Sequence, residues 1–319
     1  RNTGAIGRLA QELGLEARTA ALDEPAALDR MLAGVTAVLH CAGPFVHTSA
    51  PMAEACLRNG VHYLDITGEI EVFEALAARY AAAKAAGVML LPGAGFDVVP
   101  SDCLAAHLNR RLPTATRLVL GIRSSGSISR GTAATMLEAM SRGEGGMVRR
   151  DGVLTRVPPA AATRQIDFGR GPRPAVQIPW GDVATAYHST GIPNIEVYLS
   201  LPQTQVRALQ ASRYLKGLLK APGVMGLLKR LVRSGAAGPD AEQRARGRCI
   251  LWGLVEDAQG GRAESRLVTP EAYTLTALTA LLIMRKVLAG DAPPGYQTAS
   301  SAYGPDLILE IPGVERVDL

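Results

Sequence analysis

Short apolar runs alternate with helical segments over the first part of the chain. Val35–His40, Val61–Ile66 and Val88–Leu91 are compact and apolar, like the strands of a parallel sheet that is buried on both faces. Between them, Ala50–Arg58 and Glu69–Ala86 have helical composition and stop at glycine. This regular alternation with short loops predicts a doubly wound parallel sheet.

Two helices and one strand are predicted ahead of these runs. Ala5–Leu13 has helical spacing and ends at Gly14, and a second helix begins near Pro25 and reaches Leu32. Leu15–Leu22 lies between the two helices and is short and partly alternating, which favours a strand.

The pattern changes after about residue 113. Thr116–Ser124 and Ile195–Leu201 alternate apolar and polar residues, as in an antiparallel sheet with one face toward water. Arg248–Glu256 and Arg262–Val268 predict a hairpin, and Thr269–Leu288 predicts a long helix. Further strands are predicted at Met147–Val157, Ala175–Trp180 and Val183–Ser189. A helix is predicted at Gly131–Met140, and a loop at Pro158–Pro174. We therefore expect a parallel-sheet domain over residues 1–113 and an α+β domain over residues 114–268 whose sheet is mostly antiparallel.

Composition excludes several classes of protein. Hydrophobic residues make up 47% of the 319 residues and charged residues 20%, which excludes wholesale disorder. The formal charge is only +5 and aromatic residues are only 4%, so a nucleic-acid partner is not expected. Tyr273–Met284, the longest apolar stretch, is too short for a bilayer span, which needs ~20 residues.

Cysteine and histidine usage argues against metal and disulfide sites. Cys41, Cys56, Cys103 and Cys249 are scattered without a CxxC pair, so neither a zinc ribbon nor a disulfide framework is predicted. No cluster of His, Asp and Glu has metal-ligand spacing, and no metal is predicted. Scattered thiols fit a reducing cytoplasm, which is the expected location.

Three consecutive predicted strands each end in a polar turn that contains glycine. The turns are Ala42–Phe45, Asp65–Glu69 and Gly93–Asp102. Because the carboxyl ends of parallel strands meet at one edge of a sheet, these turns can converge on one ligand. Thr67 and Glu69 also have a structural interpretation as helix caps.

Four segments of this sequence resemble the saccharopine-dehydrogenase-like oxidoreductases, a group that includes trans-acting enoyl reductases. They are CAGPF at 41–45, HYLDITGE at 62–69, LLPGAGFDVVPSD at 90–102 and GYQTASSAYGPDLILEIPGV at 295–314. The resemblance implies a Rossmann-type domain, an α/β substrate domain, a segment 269–319 that returns to the first domain, and NADP as cofactor in preference to NAD.

The resemblance also implies that the chain starts at the end of the family's second strand. Arg1 and Asn2 match the G-R-N that follows that strand, so the first strand, the glycine loop and the first helix are expected to be missing. Such a Rossmann-type sheet is incomplete, and the truncated chain is expected to bind pyrophosphate poorly or to be inactive.

Cofactor-binding residues follow from the same resemblance. Arg1 would face the 2′-phosphate of NADP, where a guanidinium suits the phosphate, and Asn2 would lie beside it. Asp23 would hydrogen-bond adenine. The nicotinamide side would be lined by Ala42, Gly43, Pro44 and Phe45, together with Gly68 and Glu69 of the next turn.

Hydride transfer needs a positioned nicotinamide and one proton donor. The candidate donors are Asp97 and Asp102, which follow the third strand, and the pair Tyr187 and His188. Structural interpretations stand beside them: Asp97 as a turn former, Asp102 as the N-cap of a helix at Cys103–Arg111, and Tyr187 as a half-buried strand aromatic.

A basic, leucine-rich segment spans Arg213–Arg233 and is broken by Pro222 and Gly223. It can form two short helices over the substrate domain, or a patch for a membrane surface or an acidic acyl carrier protein.

The expected function is that of an NADP-dependent oxidoreductase that transfers a hydride to or from an apolar or acyl substrate, including a carrier-bound enoyl chain. One alternative is an amino-acid dehydrogenase of the saccharopine-reductase type, which would need clustered basic residues such as Arg117, Arg123 and Arg130. The other is a non-catalytic Rossmann-like scaffold or membrane-surface protein. A homodimer is expected only from the general frequency of twofold assemblies.

Overall fold

The structure is a computed structural model that describes residues 3–124, 146–212 and 238–319. Arg1, Asn2 and Arg130 lie outside the described residues, as do the predicted helix at Gly131–Met140 and the basic segment at Arg213–Arg233.

The described helices, in chain order, are α1 (Thr3–Leu13), α2 (Pro25–Leu32), α3 (Phe45–Asn59), α4 (Ile70–Ala77), α5 (Tyr80–Ala85), α6 (Val99–Arg111), α7 (Asp182–Thr190), α8 (Gln203–Ser212), α9 (Ala241–Arg246), α10 (Ala272–Leu288) and α11 (Ala299–Tyr303), with a 3-10 helix at Leu307–Glu310. The described strands are β1 (Ala37–His40), β2 (His62–Asp65), β3 (Met89–Leu91), β4 (Ala115–Ser124), β5 (Gly146–Arg150), β6 (Val153–Val157), β7 (Thr163–Asp167), β8 (Pro172–Gln177), β9 (Asn194–Ser200), β10 (Arg248–Asp257), β11 (Arg262–Pro270), β12 (Gly295–Tyr296) and β13 (Glu315–Asp318).

The first sheet is parallel and has the order β1-β2-β3-β12. Its side chains alternate between two apolar layers, as the period of a strand requires. Tyr63 and Leu90 pack with α2 to α5, whereas Leu64, Met89 and Leu91 pack with α6 and α10. Helices thus cover both faces, and the predicted α/β fold class with its parallel sheet is confirmed.

Among the described residues, the second sheet has nine strands and is mostly antiparallel, as predicted. Its main path is β13-β11-β10-β4-β9-β5-β6, in which β4 and β9 run parallel, and β8 pairs with both β7 and β9. Helix α6 packs on this sheet closely: a Cβ on Gly253 of β10 would lie 2.5 Å from Leu108 Cδ1. Because α6 starts directly after the turn that follows β3, it joins that turn to both sheets.

Several elements differ from the sequence-based prediction. Val183–Ser189 lies in helix α7 and not in a strand, because its small residues allow a helix to be buried on nearly all sides. Residues 15–22, predicted as a strand, form no strand and pair with no described strand. The predicted loop 158–174 contains β7, which pairs with β8 and buries Ile166 in the core.

Helix bounds also shift. The helix predicted over Glu69–Ala86 is two helices, α4 and α5. Helix α10 starts at Ala272, because Pro270 ends β11 and Glu271 is the N-cap whose side chain accepts from the N–H of Tyr273. Within the described part of the chain, no helix combines the length and the apolar character needed to cross a membrane.

Candidate active site

Three turns lie at the carboxyl ends of β1, β2 and β3, and we call them together the rim: residues 41–44, 66–69 and 92–98. The first turn is exposed from Cys41 to Pro44 and contains a cis peptide bond between Gly43 and Pro44. The Thr48 hydroxyl donates to the carbonyl of Ala42 at 2.7 Å and holds the turn against α3. Its backbone is therefore accessible and fixed in position.

Glu69 connects the second turn to the first. Its Oε1 accepts the N–H of Phe45 at 2.9 Å, and its Oε2 accepts the N–H of Val46 at 2.6 Å. These N–H groups begin α3 and have no partner within the helix, so a carboxylate there satisfies them and complements the helix dipole. Glu69 occupies the N-cap position of α4, as the sequence-based interpretation expects, but its side chain makes no cap hydrogen bond there and caps α3 instead.

Asp65 connects the second turn to the third. Its Oδ1 accepts the N–H groups of Thr67 at 2.9 Å and Gly93 at 2.8 Å, and its Oδ2 accepts the Tyr63 hydroxyl at 2.7 Å. Burial raises the pKa of Asp65 to about 6, although these three hydrogen bonds oppose the rise. Sequence reasoning did not single out Asp65; the signal is an acidic residue at the end of an otherwise apolar strand.

Asp97 and Gly68 touch across the rim. A Cβ on Gly68 would lie only 2.5 Å from Asp97 Oδ2, so the carboxyl group packs directly on the Gly68 backbone. Trp180 fixes this position by donating its indole N–H to the Asp97 carbonyl at 2.5 Å. The Asp97 side chain stays partly exposed, and burial of its carboxyl raises the pKa to about 6. A carboxyl group with that pKa can donate a proton near neutral pH.

Helix α10 supports the third turn from below. The Thr276 hydroxyl accepts the N–H of Phe96 at 3.0 Å, and the Thr279 hydroxyl donates to the carbonyl of Ala94 at 2.8 Å. Gly95 permits this approach, because a Cβ there would lie 2.9 Å from Thr276 Cγ2. These two threonines interrupt the apolar stretch noted in the sequence, and their contact with the rim was not predicted.

The other predicted donors lie behind the rim. Asp102 is fully buried within α6, which begins at Val99, so the prediction that Asp102 is an N-cap is wrong. Its Oδ2 accepts the N–H of Ser300 at 2.7 Å, and burial raises its pKa.

Tyr187 and His188 lie on α7 and belong to a separate cluster, so the interpretation of Tyr187 as a strand aromatic is wrong. The Arg149 guanidinium stacks 4.1 Å from the Tyr187 ring centre, and His188 Nε2 lies 3.6 Å from Glu74 Oε1. No hydrogen bond or ring contact in the described ranges joins either residue to the rim.

Some of the predicted cofactor residues lie together at the rim, and others do not. Ala42, Gly43, Pro44, Gly68 and Glu69 lie together at the rim, with Phe45 buried beneath it. Asp23 is exposed in the turn before α2, away from these contacts, and Arg1 and Asn2 are not described. An accessible backbone turn beside a protonatable carboxyl suits the nicotinamide end of a dinucleotide.

Known proteins resemble this chain in sequence and in fold. Residues 4–91 match the family model described as the saccharopine dehydrogenase NADP binding domain, which supports a nicotinamide cofactor. The human saccharopine dehydrogenase-like oxidoreductase is 40% identical over 81 residues, which are 24% of this chain and 18% of that protein. The trans-acting enoyl reductase of Mycobacterium ulcerans (strain Agy99) is 32% identical over 143 residues, 42% of this chain and 34% of that protein.

Among solved structures, the apo saccharopine dehydrogenase (L-Glu forming) from Saccharomyces cerevisiae superposes with a TM-score of 0.64 at 13% identity, over 100% of this chain and 93% of that chain. At that identity the likeness shows the fold alone. The alignments with the curated relatives span about a third or less of each relative. The resemblance to the saccharopine-dehydrogenase-like oxidoreductases is confirmed, and residues 4–91 are similar to the saccharopine dehydrogenase NADP binding domain.

Proposed function

We propose that this protein is an NADP-dependent oxidoreductase in which the rim holds the nicotinamide and Asp97 supplies the proton that accompanies hydride transfer. The observation that carries the proposal is the position of the Asp97 carboxyl. It packs on Gly68 of one turn, projects from another, and holds its proton up to a pH of about 6.

The rim residues have separate tasks in this proposal. The backbone of residues 41–44 is exposed for contact with the carboxamide and ribose, while Glu69 and Asp65 keep the turns in register. Bound NADPH supplies the hydride. Asp97 protonates the atom of the acceptor that gains negative charge, and burial raises its pKa to about 6, so that a fraction of the molecules carries this proton near neutral pH.

An apolar or acyl acceptor is favoured over an amino acid. An amino-acid substrate would need free cations for its carboxylates, and Arg117 was one candidate. Arg117 is instead paired with Glu196 at 3.1 Å and with Glu256 at 3.0 Å, so its charge is already neutralised. The name of the mycobacterial relative, a trans-acting enoyl reductase, supports an enoyl acceptor.

The first experiment measures cofactor binding by the protein as its gene encodes it. NADPH and NADH are titrated separately while nicotinamide fluorescence is followed. Tighter binding of NADPH supports the proposal. A folded protein that binds neither nucleotide contradicts it and favours the scaffold alternative.

The second experiment measures turnover with two probes: an enoyl thioester, and an amino acid supplied with a 2-oxo acid. We expect NADPH oxidation with the thioester, and Asp97→Asn should lower kcat by ~10²-fold or more while NADPH affinity is retained. Asp29→Asn is the matched control, because Asp29 lies in an exposed pair with Arg58. Turnover with only the amino-acid pair would identify the saccharopine-reductase alternative.

A further inference from the structure

Behind the rim lies a group of buried polar atoms without ordinary partners. Asp182 begins α7 and is fully buried, and its carboxyl oxygens make no well-aligned hydrogen bond among the described residues, although the Ser101 side chain is a hydrogen-bonding neighbour. In the same residues, Oδ1 of Asp102 and the hydroxyl of Tyr296 have no hydrogen-bond partner, and Tyr296 is 8% exposed. Buried polar groups are nearly always satisfied, so several such atoms together require bound water or a proton.

These atoms lie between the rim and a solvent-facing pair. Asp97 and Asp102 are both close enough to Asp182 to raise its pKa, although burial is the larger cause, and the Ser101 side chain lies beside it. Asp102 is in turn close to Ser189 and Ser300. Asp182 also follows Gly181, where a Cβ would lie 3.4 Å from the Gly68 carbonyl oxygen, so Asp182 lies directly behind the rim.

Tyr296 connects the inner end of this group to solvent. Burial raises its pKa well above the usual range, and the nearby charges of Asp102 and Glu74 add to the rise. The His188 ring centre lies 5.1 Å from that of Tyr296. The side chains of His188 and Glu74 are 26% and 34% exposed, so protons from water can reach this end.

A metal ion does not account for the buried carboxyls. No set of three His, Cys, Asp or Glu side chains in the described ranges is arranged to hold one. Arg149, a nearby cation, is occupied by Glu74 at 2.5 Å and by the carbonyl oxygens of Val183 at 2.6 Å and Gly152 at 2.7 Å. Burial raises the pKa of both Asp182 and Asp102, which favours their protonated, uncharged forms.

We propose that Asp182, Asp102 and Tyr296, with buried water, form an internal proton route from the His188–Glu74 pair to Asp97. The proposal extends the proposed function, because it states how Asp97 regains its proton after each turnover. Asp97 loses one proton to the acceptor, Asp182 returns one to Asp97, and Asp102 returns one to Asp182. Water at the Tyr296 hydroxyl then returns one to Asp102, and solvent supplies the last, so the protein is unchanged overall.

The first test is infrared absorption by protonated carboxyl groups, recorded at about pH 7.5 without cofactor or substrate. We expect a band that Asp182→Asn reduces and that the control Asp29→Asn leaves unchanged, since the pKa of Asp29 is lowered by its hydrogen bond from Arg58. Because no nucleotide is present, the result is independent of the proposed function. A band unaffected by Asp182→Asn, or the absence of any band, would overturn the proposal.

The second test measures how fast that carboxyl band shifts after dilution into D₂O. Tyr296→Phe removes a hydroxyl that has no protein partner, so the fold should tolerate it. We expect the exchange to slow by on the order of tenfold. Tyr303→Phe is the control, since the Tyr303 hydroxyl donates to the Asp291 carbonyl in an exposed contact. Equal exchange rates in Tyr296→Phe and the wild type would exclude the route.

Discussion

The Glu69 carboxylate accepts the backbone N–H of Phe45 at 2.9 Å across 24 positions of sequence. Through this bond, the turn after β2 fixes the start of α3 and with it the exposed backbone of residues 41–44. The three turns of the rim are thus held together by side chains at the end of β2, which accept backbone N–H groups that follow β1 and β3. Perturbing these side chains should therefore affect more than one turn.

Glu69→Ala should destabilise the protein by about 1–2 kcal/mol, because two N–H groups at the start of α3 lose a charged acceptor. Glu69→Gln retains one acceptor oxygen and should cost about half as much. Denaturant unfolding measures both. Glu71→Ala is the control, since Glu71 is exposed in the first turn of α4. Equal losses in Glu69→Ala and Glu71→Ala would show that the cap contributes nothing.

Gly68→Ala should displace the Asp97 carboxyl with little loss of stability. The new Cβ would lie 2.5 Å from Asp97 Oδ2, which side-chain rotation can move, and 3.1 Å from Asp97 Cβ, which requires a shift of a few tenths of an ångström. Burial holds the pKa of Asp97 at about 6, so displacement should lower the pKa toward that of an exposed aspartate. Carboxyl NMR titration measures the change. Gly7→Ala is the control, because a Cβ at Gly7 would have open space; an Asp97 pKa that stays at about 6 in Gly68→Ala would count against the contact.

The strands that carry the rim could be predicted from sequence because each is a short apolar run closed by glycine. The hairpin of β10 and β11 was also predicted, since β10 is an apolar run, β11 alternates, and a short polar turn joins them. Helix α7 could not be predicted this way. Val183, Ala184 and Ala186 are all buried, so no polar face marks the helical period.

The bonds within the rim lie beyond the reach of local patterns. Asp65 accepts from Gly93, 28 positions away, only because β2 and β3 are neighbours in the sheet. The apolar pattern predicts that each strand exists, but it does not predict which strand ends face one another. Likewise, Tyr187 and His188 were predicted as candidate donors from residue type alone, and the helix places them beside Glu74 and Arg149 instead.

Asp65 should make stability depend on pH in the acid range. Its pKa is about 6 in the folded protein and ~3.9 when unfolded, so the folded state holds the proton more tightly. This contribution is present in full below pH ~4 and is lost as pH rises to about 6, a decline of about 3 kcal/mol. Asp65→Asn mimics the protonated form and should remove that decline from unfolding free energies measured between pH 4 and 8. If the unfolding free energy of Asp65→Asn fell with pH as much as that of the wild type, the decline would come from other groups.

Asp65→Ala should behave differently from Asp65→Asn. It leaves the N–H groups of Thr67 and Gly93 and the Tyr63 hydroxyl without their acceptor in a buried place. We expect a loss of about 3 kcal/mol or more in acid as well as at neutral pH. Unfolding free energies that match those of Asp65→Asn would mean that these donors find other partners.

Arg149 is a position outside the rim where substitution should strongly destabilise the protein. It is 4% exposed, stacks on Tyr187 and joins β5 to Glu74 of α4 at 2.5 Å. Arg149→Met keeps much of the volume but removes the cation paired with the Glu74 carboxylate and the donor to two carbonyl groups, which should cost about 3–5 kcal/mol in denaturant unfolding. Arg150→Met is the matched control, because Arg150 is the exposed next residue of the same strand and should change stability by less than about 0.5 kcal/mol. Equal unfolding free energies for the two variants would show that the Arg149–Glu74 pair between β5 and α4 adds no stability.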